Sequence, residues 1–365
     1  MREIEFPNIP GIIPSNFQEL LNLSQEKLWA SPVDRLWETS TSNLVFTPGD
    51  TDCPEGYVYK IWKHDHPLIG GLDCLETRKK YLEGEKAKGE SIGSVDVYKN
   101  VIPVCLVGNA ENGFTIIEWQ NKAEIPQEAS FDWALKMKRF ASSERWDQML
   151  IEGQLTNYQV RQAVKKIIAF HQNLPHDNLA NLRGEADYFN QVVRIADFSV
   201  IERCGIIPAD KLAELEAKEE LFLAQSKSDF EQRIAGNWIK NGHGDTKLTN
   251  IYGENGYILD AIAFKDDWNC NDLLAEIAYF LVYFDFFKPD DFERWLGVVD
   301  QEYQYLTGEN IIQKPLFWFY LNYRAWVEAK VAGLEGRQDD GYKLISMAEN
   351  YLKKAFALKG LDWIE

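Results

Sequence analysis

The chain has 365 residues, 45% of them hydrophobic and 26% charged. Its 12 Trp, 16 Tyr and 20 Phe supply ample core, which excludes a largely disordered protein. Its 57 Asp and Glu against 39 Lys and Arg leave a net charge of −18, which excludes generic nucleic-acid binding, because that needs a basic surface.

Residues 1–35 are irregular and punctuated by proline, and read as an N-terminal extension with one short amphipathic stretch, FQELLNLSQEKLW. No basic region followed by an apolar stretch marks a signal peptide. From residue 36 the pattern turns β-rich. SNLVF and GYVYKIW are short strand-like runs, separated by turn residues at Pro48–Asp50 and Pro54–Gly56. Leu75–Lys88 is a charged helical segment; VIPVCLV and FTIIEW read as strands, and WALKMKRF follows. Residues 36–139 are therefore expected to form a sheet with a helix packed on it.

From about residue 140 the periodicity is helical. YQVRQAVKKIIAFHQNL, DKLAELEAKEELFLAQ and DFEQRIAGNWI place apolar residues three and four apart. NDLLAEIAYFLVYFDFF is apolar nearly all round, as a central buried helix is. Its run Ile277–Phe287 is too short to span a bilayer and contains Asp285. PLFWFYLNYRAWVEAKVAGL and ISMAENYLKKAFAL are helical again. One segment, 243–264, HGDTKLTNIYGENGYILDAIAF, breaks the helical pattern and reads as a loop followed by a hairpin turning at Gly253–Gly256. The fold class expected is α+β, two-lobed, with a β-rich N-lobe (36–139) and a helical C-lobe (140–365).

Five cysteines without CxxC spacing argue against a zinc site or a disulfide framework. His64 and His66 have metal-like spacing but no third ligand nearby, and read as a surface loop. The aromatic stretch FWFYLNYRAW reads as core. A soluble, cytoplasmic protein with no membrane partner is the expectation.

The break at 243–264 carries chemistry. Asp245 is followed by Asn250 and then by Asp260 at the end of YILD. Phosphoryl transfer needs a carboxylate beside the acceptor hydroxyl and oxygen ligands for Mg²⁺. Asp, Asn and Asp on a non-helical break supply both.

HGDTKLTN…ILD resembles the HGDxxxxN…D signature of aminoglycoside phosphotransferases and related small-molecule kinases, which share the protein-kinase-like fold. The resemblance is closer to a bacterial branch often fused to a P-loop ATP-binding domain, with motifs of the type GHGDLHLxNI, FDCIEFND, DxxSDLAF and YRAxVRAKV. Here these read GHGDTKLTNI, LDAIAFKD, DLLAEIAY and YRAWVEAKV. The likeness covers about residues 36–335, and no GxxxxGK[ST] occurs in the 365 residues.

The resemblance implies a set of roles. Lys60 touches the nucleotide phosphates and pairs with Glu85, with Glu83 as the alternative. Asp245 is the catalytic base; Asn250 and Asp260 hold Mg²⁺. Met137, Lys138 and Arg139 form the hinge where adenine pairs with backbone. Ser40, Thr41 and Ser42 stand where a Gly-rich phosphate loop would be. Asp272 braces the catalytic loop, buried and hydrogen-bonded, and His243 braces it by hydrogen bonds. Lys247 replaces a histidine of the branch and would serve the γ-phosphate. Ala263 and Lys265 replace a Glu and an Asn, so acceptor specificity is not inherited.

The resulting expectation is a kinase using ATP (or GTP) and Mg²⁺ to phosphorylate a hydroxyl of a small molecule. Net acidity favours a cationic acceptor such as an amino-sugar. Only eleven residues separate Asp260 from Asp272, too few for a protein kinase's activation segment. The alternative is a pseudokinase, a nucleotide-binding regulatory module without turnover, supported by the missing Gly-rich loop.

Overall fold

The computed structural model describes residues 35–39, 43–47, 56–62, 71–109, 113–118, 129–176 and 179–363. Ser40, Thr41, Ser42, His64, His66 and the stretch 17–29 lie outside them. The chain divides into two compact units, Met1–Ala141 and Ser142–Glu365.

The first unit holds a six-stranded antiparallel sheet, in the order β1-β2-β3-β6-β4-β5. Its strands are β1 (Arg35–Thr39), β2 (Asn43–Thr47), β3 (Tyr57–Trp62), β4 (Tyr98–Asn109), β5 (Gly113–Glu118) and β6 (Ala129–Lys138). β3 is flanked on both sides, by β2 and β6. It is accordingly buried at every position after Tyr57, without the alternation of a half-exposed strand. Helix α1 (Leu75–Gly89) follows β3 and packs on β4 and β6. Its buried positions, Arg78, Leu82, Glu85 and Gly89, fall on one face by their spacing. That face is largely polar, so two buried ion pairs dock the helix. Glu85 takes Lys60 of β3 at 2.7 Å, and Arg78 meets Asp132 of β6 at 2.9 Å. Burial pushes the Asp132 carboxyl up to about 6, against the pull of Arg78. The alternative partner of Lys60, Glu83, is 55% exposed and lies 3.8 Å from Lys79, one turn away.

In the second unit, helix α2 (Trp146–Ile151) precedes α3 (Asn157–Asn173), which opens on a capping box of Thr156 and Gln159. Further long helices are α4 (Ile195–Cys204), α5 (Ala209–Gln225), α6 (Lys227–Ala235), α7 (Leu273–Phe287), α8 (Phe292–Thr307), α9 (Pro315–Leu334) and α10 (Gln338–Lys359). Every residue of α7 except Asp285 and Phe287 is buried, as its all-round apolar sequence predicts. α9 packs against α4, α7 and α10; FWFYLNYRAW is core, with every residue from Phe317 to Trp326 buried. Two small antiparallel pairs bracket the irregular segment. β7 (Ile239–Asn241) pairs with β10 (Cys270–Asp272), and β8 (Ile251–Tyr252) pairs with β9 (Tyr257–Ile258) in the expected hairpin.

Asp272 closes β10 and caps α7, accepting a hydrogen bond from the Leu274 amide at 2.9 Å. Both its oxygens also accept from Arg233 on α6, each at 2.7 Å. Arg233 reaches Glu309 as well, at 2.6 Å. Asp272 is thus buried and hydrogen-bonded, and these bonds join α6 to α7.

Removing one member of a buried ion pair strands the other. Asp272→Ala is therefore expected to cost about 3–5 kcal/mol, with the cap lost as well. Glu309→Ala, at the partly exposed end of the same network, should cost about 1 kcal/mol. Urea unfolding of both variants checks the difference, and equal losses would show that the buried pair does not set the junction.

Candidate active site

The loop between β7 and β8 is held from below by Glu276, a buried carboxylate one turn into α7. Its Oε1 accepts from the Gly244 amide at 2.9 Å, and its backbone carbonyl accepts from Thr246 Oγ1 at 2.6 Å. Gly242 sits so close to this carboxylate that a Cβ there would collide with Oε1. Gly244 has φ +83°, a left-handed conformation that glycine adopts without penalty. The two glycines of GHGD thus answer to close approach and to backbone conformation respectively. His243 is fully buried between them. Its Nδ1 faces the Asp245 amide at 3.3 Å, and its carbonyl accepts from the Ile262 amide at 2.9 Å.

Asn250 closes the loop. Its Nδ2 donates to the Asp245 carbonyl at 3.0 Å and to Asp245 Oδ2 at 2.8 Å. The other carboxylate oxygen, Oδ1, accepts no hydrogen bond, and the Lys247 ammonium lies 3.4 Å from it. The Asp245 side chain is 15% exposed, but Oδ1 itself is shielded from solvent.

The hairpin brings Asp260 to this loop. The Leu259 amide donates to the Asn250 carbonyl at 2.9 Å, which continues the β8–β9 pairing by one step. The bond from Ile262 to His243 ties the chain down on the other side of Asp260. Asp260 itself has φ +65°; aspartate is one of the few residues with a side chain that visit this region regularly. The turn is fixed to α2, where Trp146 Nε1 donates to the Gly253 carbonyl at 2.9 Å. Gly256 packs on the same ring, where a Cβ would lie 2.6 Å from Trp146.

Lys247 is clamped from two sides. Its ammonium is 3.4 Å from Asp245 and 3.1 Å from Glu328 Oε1 on α9. Tyr279 and Tyr283 of α7 donate their hydroxyls to the same Glu328 carboxylate. Burial opposes every charge in the group. For Lys247 the carboxylates of Asp245 and Glu328 outweigh it, and the ammonium stays protonated well above its usual range. Glu328 is likewise held below the ordinary carboxylate range by Lys247 and the two hydroxyls. For Asp245 burial wins. Lys247 pulls its carboxyl down, but Asp260 and Glu328 add to the rise.

The remaining expected residues lie in the first unit. Lys60 and Glu85 form the buried pair already described. Met137 is buried in β6, in register with Val58 and Tyr98. The amides of Lys138 and Arg139 donate to the Val97 and Gly56 carbonyls at 2.8 and 3.0 Å. These two amides are engaged within their own unit.

Sequence reasoning missed Glu276, Glu328, Tyr279 and Tyr283. A signal existed for the first: Glu276 is the one charged residue between Asp272 and Asp285, and a carboxylate on an apolar helix needs a buried donor. The tyrosines carried no signal, because they are indistinguishable from core in an aromatic-rich helix.

No family model matches the sequence, and no curated protein matches it. Solved structures do. One is an aminoglycoside phosphotransferase, a thermostable mutant crystallised with AMP-PNP and hygromycin B, at 12% identity and TM-score 0.46, covering 93% of this chain and 99% of that one. Another is an ethanolamine kinase of Plasmodium vivax, at 10% identity and TM-score 0.47, covering 87% and 80%. A third is a choline kinase of Cryptosporidium parvum, at 10% identity and TM-score 0.46, covering 89% and 88%.

Glu276→Ala removes the acceptor of the Gly244 amide and should cost about 1–3 kcal/mol. Gly242→Ala should cost at least as much, because its methyl group needs the space of the carboxylate. The double variant should be little worse than Glu276→Ala alone, since the collision disappears with the carboxylate. A double-mutant cycle by urea unfolding measures this coupling, and simple additivity would contradict the packing described.

Proposed function

We propose that the chain is an ATP-dependent phosphotransferase that phosphorylates a hydroxyl of a small molecule. The observation that carries this reading is the state of Asp245. One carboxylate oxygen is fixed by the Asn250 amide; the other is shielded from solvent, accepts no hydrogen bond and has the Lys247 ammonium 3.4 Å away. That second oxygen is where an acceptor hydroxyl would donate its proton. The eleven residues between Asp260 and Asp272 favour a small acceptor over a protein.

The metal implied by the reading fits the residues. Because Asn250 donates through Nδ2, its side-chain oxygen is turned away from Asp245 as an acceptor, and Asp260 is brought beside the same loop by the hairpin. Among the described residues no three His, Cys, Asp or Glu side chains gather into a metal cage. Mg²⁺ needs none, since it binds through one or two protein oxygens, phosphates and water. Bound there, Mg²⁺ would neutralise the negative charge of the transferring phosphates. Asn250 holds Asp245 in position throughout, and Lys247 supplies a fixed positive charge beside the carboxylate. Lys60, held by Glu85, is the cation assigned to the nucleotide phosphates.

The test is ADP formation from Mg·ATP over a panel of hydroxylated small molecules. Asp245→Asn should lower turnover by about 10²–10⁴-fold while Mg·ATP still raises the melting temperature. Wild-type turnover in Asp245→Asn would sink the base assignment. Absence of both turnover and a Mg·ATP shift would sink the kinase reading.

A pH profile gives an independent check. Burial raises Asp245, so the acidic limb of kcat/KM should lie above the ordinary aspartate range. Lys247→Met removes the charge that pulls Asp245 down, so its limb should move to still higher pH.

A further inference from the structure

Arg324 lies on α9, one helical turn before Glu328. Its side chain is buried, at 3% residue exposure. The guanidinium carbon sits 4.4 Å from the centre of the Tyr279 ring and 5.4 Å from that of Tyr323. Nε and Nη2 are shielded from solvent and donate to nothing. A guanidinium offers five N–H donors and never gives up its charge. Buried charges are almost always paired, and contact with two aromatic faces does not replace the lost hydrogen bonds of a guanidinium.

The obvious partner is already committed. Glu328 Oε1 accepts from Lys247 and Tyr279, and its Oε2 accepts from Tyr283. The guanidinium shares an aromatic neighbour with Lys247. The Tyr279 ring that carries Arg324 at 4.4 Å has the Lys247 ammonium at 5.7 Å from the same centre. Lys247 in turn lies 3.4 Å from Asp245.

We infer that Arg324 recognises an oxyanion, a carboxylate or phosphate ester, on the molecule whose hydroxyl meets Asp245. The planar fork of arginine matches either group with paired hydrogen bonds. This rests on the kinase reading and narrows it: the acceptor is a hydroxylated anion, not the amino-sugar that net charge suggests. Glu328 does not oppose such a ligand, because Lys247 neutralises it and the tyrosine hydroxyls occupy it.

Binding and turnover separate the two claims. The full chain is titrated with inorganic phosphate and with glycolate, without nucleotide, and its melting temperature followed. Wild type should shift upward and Arg324→Met should not respond. In anion-poor buffer Arg324→Met should melt no lower than wild type, because an unmatched buried charge has been replaced by a side chain of similar length. Arg324→Lys should respond weakly, since lysine lacks the fork. In Mg·ATP turnover, hydroxy acids or sugar phosphates should outperform their neutral amides or unphosphorylated sugars. Arg324→Met should lose about 10²-fold in kcat/KM for the anions, mainly through KM, while its Mg·ATP shift stays intact. An unchanged phosphate and glycolate response in Arg324→Met overturns the anion site. So does equal turnover of amino-sugars, neutral compounds and anions. An Arg324-dependent phosphate shift with no Mg·ATP shift overturns the kinase reading instead and leaves an anion site standing. Preference for carboxylates or for phosphates in the panel identifies which oxyanion is used.

Discussion

Glu276 occupies an inward position of a helix whose other inward positions, as far as Phe284, are apolar or tyrosine, and its carboxylate is out of water. Such a group persists only when buried donors repay its lost hydration. Here the repayment comes from the Gly244 amide, with the Thr246 hydroxyl taking the carbonyl of the same residue. The constraint works in both directions. The loop fixes the carboxylate, and the carboxylate admits only glycine at position 242. Everything that follows in the loop, from Asp245 to Asn250, hangs from this point. The orientation of Asp245 is therefore set by an apolar helix packed in the core, a far stiffer support than the loop's own backbone.

A second layer of charge is built on the first. Asp245, Lys247 and Glu328 alternate in sign, and two tyrosine hydroxyls complete the carboxylate furthest from the loop. In this arrangement each charge is kept by its neighbour, so no member can be exchanged alone without stranding another. Lys247 and Glu328 stand where the branch that the motifs resemble has histidine and arginine, in GHGDLHLxNI and YRAxVRAKV. The two departures are 81 residues apart in sequence and bonded at 3.1 Å in space. They make physical sense as one change: a lysine brought beside Asp245 needs a carboxylate behind it.

The sequence made most of the architecture legible because the signals were local. β-rich runs located β2, β3, β4 and β5, three- and four-residue spacing located α3, α5 and α6, and an all-round apolar sequence located α7. The HGD, Asn and Asp spacing was legible because it stood on a break between helices. What was hidden was relational. Asp272 carries the right residue type in a buried place, yet it joins two helices, while the loop is held by Glu276 four residues on. Charge-rich α1 reads equally as a solvated face, and only the sheet beneath it shows that Arg78 and Glu85 are inward.

The chain's acidity illustrates the difference between a sum and an arrangement. A net charge of −18 describes the field met by a distant ion, which salt screens within about 10 Å. Recognition is decided inside that distance, by groups that water does not screen. In the second unit Lys247 is matched by Asp245 and Glu328. Arg324, by contrast, has Nε and Nη2 without a hydrogen-bond partner and stands against the Tyr279 ring. An acidic exterior and an unmatched interior cation are compatible, because steering acts on approach while short-range pairing acts on what stays. The charge of the acceptor follows from the second, so it is read from the unmatched guanidinium beside Tyr279 and not from the composition.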